Sequence, residues 1–142
     1  MGLDAIVKVA QLLSYAVAAY AAFRAVSVYG DNARRERARW ADSLFSRFFV
    51  APDYKKVRDV PDRDSDDTAV VELVNSDNAD WTDYLNFFEF VFYLQASEQL
   101  FREDVDALFG YYVGCLKKHP AVVAYIKDKA KSFEYLRRRL GR

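Results

Sequence analysis

Residues 9–23 read VAQLLSYAVAAYAAF, fifteen positions with no formal charge, bounded by Lys8 and Arg24. Asp4, Lys8 and Gln11 share one helical stripe, as in an amphipathic helix, but the stripe fades after Ser14 and the pattern becomes apolar on every side. The pattern predicts an N-terminal anchor over residues 1–30. Its charge-free core is shorter than the roughly 20 residues a helical span needs, so spanning requires Lys8 and Arg24 to snorkel to the headgroups. Tyr29, close to Arg24, suits the interfacial aromatic belt. A cleaved signal peptide fits poorly, because the positive charges follow the apolar run instead of preceding it. The competing reading is a soluble helix that completes the core.

Beyond residue 30 the periodicity changes. Asp31 or Asn32 is positioned to cap a helix reaching about residue 50, with Gly30 breaking or kinking it from the anchor. Trp40, Leu44 and Phe48 recur at four-residue spacing and predict its buried face. Pro52 opens a short helical turn through Tyr54 and Val57, and Pro61 is expected to end it in an acidic loop. Residues 68–74 are apolar and β-branched; with no partner strand in the chain, a helix is predicted.

The centrepiece runs from about residue 80 to 99, with Asp80 as expected N-cap and Asp83 in the first turn. Tyr84, Phe87, Phe88, Val91 and Leu94 lie on one side, and Trp81, Leu85, Phe92 and Ala96 on the other. A helix that is apolar all round packs centrally. Residues 102–118 predict another helix, with Glu103 and Asp104 first and Lys117 and Lys118 last. After His119-Pro120, residues 121–140 are helical with a break near Ser132. The fold class is therefore all-α: an N-terminal transmembrane or long apolar helix, then a compact bundle of about four to five helices over residues 31–142.

Composition supports a real core. Of 23 aromatic residues only Tyr15, Tyr20, Phe23 and Tyr29 lie in the anchor, and each of the others can bury about 150–250 Å². The single Cys115 excludes an internal disulfide framework. A net charge of zero hides segregation: residues 1–58 carry 10 basic and 5 acidic side chains, residues 59–106 carry 2 and 14, and residues 107–142 carry 9 and 2. An acidic middle is expected to attract basic ends within the chain.

Arg34, Arg35, Arg37 and Arg39 form a cluster just after the apolar stretch. Positive charge so close to a span stays cytoplasmic and attracts anionic lipid headgroups at about 1 kcal/mol per residue. Ser14, Ala18, Ala22 and Ala25 make a small-residue seam that permits a homodimer. The basic run at residues 137–142 matches the negative end of a helix, and without a recognition motif nucleic acid is disfavoured.

Other motifs fail where chemistry is strictest. Residues 62–73 resemble a calcium loop at Asp62, Asp64 and Asp66, but the sixth position is Asp67 where Gly is needed, and the twelfth is Leu73 where Glu is needed. Cys115 and His119 stand at i, i+4 without an orienting partner or oxyanion motif. One cysteine and one histidine make no zinc site, and no cofactor or catalytic residue is assigned. Asn86 and Glu89 are the polar residues expected to be buried in the aromatic helix, with Glu89 paired to Arg47 or Arg39.

The apolar N-terminus, RRERARW, FFVAPDYKKVR, LNFFEFVFYL and DVDALFGYYV together resemble an uncharacterised bacterial family of short single-pass membrane proteins. That family carries a cytoplasmic all-helical domain with a Leu-Asn-Phe-Phe-Glu motif, here residues 85–89. The resemblance implies a cell inner membrane location with the C-terminal domain cytoplasmic, and implies no activity or substrate. The expected function is a membrane-anchored protein-interaction or regulatory module. A soluble helical binding module is the alternative, cytoplasmic and with the first helix in its core, and a small helical enzyme is third.

Overall fold

The computed structural model describes residues 3–63, 67–128 and 131–141. Among them the regular structure is helical: α1 (Leu3–Val50), α2 (Pro52–Arg63), α3 (Thr68–Ser76), α4 (Ala79–Ala96), α5 (Arg102–Lys118), α6 (Pro120–Lys127) and α7 (Glu134–Leu140). The fold is all-α, a long apolar N-terminal helix followed by packed helices. The chain divides into two units, Met1–Arg39 and Trp40–Arg142.

The first unit is helical throughout its described part and runs through Gly30, Asp31 and Asn32 without a break. The expected cap and break there are therefore corrected. A single helical glycine costs only about 1 kcal/mol relative to alanine, and the arginine- and alanine-rich residues that follow are strong helix formers. Nothing crowds Gly30, whose missing Cβ would meet no atom within 4 Å.

The second unit begins in the last turns of α1. Leu44 and Phe48 are buried as their spacing predicts, but Trp40 is 48% exposed, because the packing begins one turn later at Leu44. Phe48 is fully buried, and its ring contacts those of Phe49, Tyr54, Tyr84, Phe87, Phe88, Phe109 and Tyr112 at centroid distances of 5.0–6.5 Å. Stacked and edge-on geometries both occur, the arrangements ring quadrupoles favour. Arg58 closes this cage from α2: Nη1 donates to the Phe48 carbonyl at 3.0 Å and the guanidinium lies 4.9 Å from the Phe49 ring centroid. It thus satisfies an end-of-helix carbonyl and adds a cation–π contact.

α2 continues past Pro61 to Arg63, so Pro61 does not terminate it. A proline in the last turn removes one N–H bond but leaves its own carbonyl, which His119 Nε2 approaches at 3.0 Å. Residues 68–74 are helical as expected, with Val70 and Val74 buried. α4 is capped by Asn78 instead of Asp80: the Asn78 side-chain oxygen accepts the Trp81 N–H at 2.9 Å, which leaves Asp80 within the first turn.

The core runs along both predicted sides of α4, from Trp81 and Leu85 through Phe88 and Val91 to Phe92 and Leu94, while Ala96 is exposed. α2, α5 and α7 pack against α4. The C-terminal stretch divides into α6 and α7, with Ser132 at φ 57° in the left-handed region between them. Among the described residues six helices thus follow α1.

Candidate functional site

The sequence places its first candidate residues on α1, and the structure keeps them on the surface. Lys8, Arg24, Arg34, Arg35 and Arg39 are exposed, Arg37 is half-buried, and Arg39 lies 3.5 Å from Glu36. Between them Leu12, Leu13, Tyr15, Val17, Tyr20, Phe23, Val26 and Tyr29 are 62–77% exposed. Among the described residues α1 is the one helix long and apolar enough to cross a membrane, and its apolar part has no buried residue. The Asp4 side chain lies outside what the structure describes.

The second candidates are the polar residues of α4. Asn86 is exposed and lines a cleft of about 340 Å³ with Arg47, Tyr54, Asp83, Phe87 and Phe90, so the expectation that it is buried is corrected. It falls on the narrow outward stripe of α4 with Asp83, Phe90 and Tyr93. Glu89 is half-buried, and its partner is not an arginine. Its two carboxylate oxygens accept the Tyr135 N–H at 3.0 Å and the Leu136 N–H at 2.8 Å, in the first turn of α7. Phe133, the residue before α7, cannot cap it with its own side chain. Glu89 does so from a neighbouring helix, where an anion also meets the positive end of the dipole. This correction has a plain cause: first-turn N–H groups with no local acceptor demand one as strongly as a cation demands an anion.

A polar stripe on α5 supplies a third constellation. Tyr111, Cys115 and His119 recur at i, i+4, i+8. The Tyr111 hydroxyl donates to Asp62, and this bond is the leading cause that pushes its pKa up to about 12. His119 is buried at the α5–α6 junction, with Nδ1 against the Asp67 carboxylate and Nε2 at 3.0 Å from the Pro61 carbonyl. Both nitrogens therefore face oxygen acceptors, and an imidazolium can donate to both. Neither nitrogen is left to deprotonate Cys115, which is itself buried. The geometry is that of a tie between α2, α3 and α5, not of a nucleophile and its base. Asp67 takes the left-handed conformation at φ 64° that the sixth position of a calcium loop requires, but the positions after it enter α3. Asp64 and Asp66, two of that loop's acidic positions, lie outside the described residues. Among the described residues no cluster of three or more metal-ligating side chains occurs.

The basic C-terminus is occupied within the chain. Arg137 donates through Nε to the Ile126 carbonyl and through Nη2 to the Asp128 carbonyl, both at 3.1 Å, capping α6. Arg138 pairs with Glu134, and Arg139 with Asp106. Arg142 lies outside the described residues. Lys131 reaches Asp77 at 2.5 Å, where the Tyr125 hydroxyl also donates. These bonds, Lys131 first, hold the Asp77 carboxyl below the usual carboxylate range. The basic residues 107–142 thus engage the acidic middle, as the charge segregation predicts. Burial, the largest cause, raises the pKa of the Tyr84 phenol, which stays neutral.

Sequence reasoning misses Arg58, the Asp67–His119 pair and the second cleft, about 240 Å³, at the meeting of α4, α5 and α7. The only available signal for the pairs is charge segregation, which gives sign without address. Comparison with family models, curated proteins and solved structures found no match.

Proposed function

We propose that this chain is a membrane-anchored helical module, a single-pass protein of the family it resembles. In this reading residues 3–29 hold it in the bilayer, and Arg34, Arg35, Arg37 and Arg39 lie at anionic headgroups on the cytoplasmic side. The helical body then works there as an interaction or regulatory domain, for a protein partner or a second copy. The exposure of the apolar side chains from Leu12 to Tyr29 carries the proposal. In water that surface costs about 25 cal/mol per Å², whereas hydrocarbon removes the cost, and a helix already satisfies its own backbone there. Residues 3–29 reach about 40 Å as a helix, but Lys8 and Arg24 are only about 24 Å apart along it, so both must snorkel to reach the headgroups of a core about 30 Å thick. The seam of Ser14, Ala18, Ala22 and Ala25, all exposed on α1, favours self-association within the bilayer.

Membrane fractionation tests this directly. The full chain is expected to stay in the pellet after high-salt and carbonate washes and to leave it only in detergent. Release by carbonate overturns the span. A reporter enzyme fused to Arg142 is expected to be active only if it functions in the cytoplasm. N-terminal sequencing of the membrane form is expected to begin before residue 8; a start near residue 30 means a removed leader and overturns the anchor.

A further inference from the structure

We propose that the 240 Å³ cleft between α4, α5 and α7 binds a phosphate group. Arg102, Arg138 and Arg139 line it together with Phe92, Tyr135 and Gln95. Its volume falls below the roughly 300–1,000 Å³ of pockets that enclose drug-sized molecules, so it suits a small polar group. Three guanidinium groups face two carboxylates: Asp106 meets Arg139 and, at 3.4 Å, Arg102 Nε, while Glu134 meets Arg138. One positive charge is left over. The guanidinium planes are also held in place, Arg139 over the Phe92 ring at 5.7 Å and Arg138 over Tyr135 at 5.6 Å.

A guanidinium offers more N–H donors than one carboxylate oxygen takes, and its fork matches phosphate oxygens. Rings that fix the planes reduce the ordering cost of binding. Gln95 lines the same cleft with an amide oxygen that has no hydrogen-bond partner. A protonated phosphate oxygen supplies the missing donor. A phosphate monoanion, with one negative charge and one protonated oxygen, answers the surplus charge, the surplus donors and the Gln95 oxygen together, which a neutral ligand does not. The phosphate group belongs either to a lipid headgroup or to a soluble phosphate compound, and the test separates them. This inference stands on the body alone and does not depend on the anchor.

The test follows the Nε–H signals of Arg102, Arg138 and Arg139 by NMR in the full chain. One arm adds inorganic phosphate to the protein in a non-ionic detergent micelle. The other uses phosphatidylcholine nanodiscs with rising phosphatidic acid content. Saturable shifts with inorganic phosphate support the site with a soluble source, and shifts with phosphatidic acid alone support a headgroup. In either arm Arg102→Gln and Arg138→Gln, both largely exposed and so without consequence for folding, are expected to weaken the response at least tenfold. No shift in either arm overturns the proposal. So does a response unchanged in both variants but lost when Arg34, Arg35, Arg37 and Arg39 are changed to Gln.

Discussion

At the scale of single residues, the largest departures from expectation are polar side chains with backbone partners. Glu89 bonds two amides of α7, Arg58 a carbonyl of α1, and Arg137 two carbonyls at the end of α6. Each satisfies a helix end that its own neighbours leave open. Glu89→Ala is expected to cost about 1.5–3 kcal/mol of unfolding free energy, because charge-assisted bonds to buried amides are lost. Glu89→Gln, which keeps one acceptor, should cost less. Urea denaturation of the detergent-solubilised chain measures both, and equal losses would show that the single acceptor kept by glutamine contributes nothing. Asp77 gives a pH-dependent counterpart. Its carboxyl is held low, so its contribution is complete above the ordinary aspartate range and disappears as pH falls through the lowered value. The melting-temperature gap between the parent chain and Asp77→Asn is therefore expected to be constant near neutrality and to close below about pH 4. A gap that persists into strong acid contradicts the Lys131–Asp77–Tyr125 arrangement.

At the scale of elements, the hydrophobic period names most of the helices, and capping chemistry decides their ends. The apolar sides of α4 are legible because burial imprints a local repeat, α5 is legible from the charges at its two ends, and α3 only from the lack of any partner strand. The starts of α4 and α7 are not, since Asn78 competes with Asp80 two residues away and Glu89 is remote in sequence. Gly30 and Pro61 illustrate the opposite error, breakers overruled by their context. α5 carries two further glycines, Gly110 and Gly114, where an alanine Cβ would meet no atom within 4 Å and where φ is not positive. Gly110→Ala and Gly114→Ala are each expected to raise body stability by about 0.5–1 kcal/mol through helix propensity and a less flexible unfolded chain. A fall in melting temperature for either would mean that the small residue is needed for close approach.

At the scale of the whole molecule, charge and aromatic content foretell more than motifs do. Nineteen body aromatics imply a ring-built core, and Phe48 is its hub. Phe48→Ala is expected to cost about 3–5 kcal/mol, the usual range for a buried aromatic, and to expose enough apolar surface to bind a hydrophobic dye. A loss under about 1 kcal/mol, the level of an ordinary substitution, would place the hub elsewhere. The acidic middle and the basic residues 107–142 meet as their charges require, through Asp77 with Lys131 and Asp106 with Arg139. Which arginine meets which carboxylate stays hidden in sequence, because long-range pairing leaves no period. The second cleft is hidden for the same reason: its lining comes from three separated stretches, residues 92–96, 102 and 135–139.

The reach of Glu89 across 46 residues has a consequence in time. α7 has seven residues, too few for a helix to persist in water without tertiary support. Until α7 leaves the ribosome, α4 carries a half-assembled site, a carboxylate whose amide donors have not yet been made. The domain can therefore close only once α7 has been made, whereas α1 is made well before it. A nascent chain of this protein would have its apolar helix available for handling well before its body is able to fold.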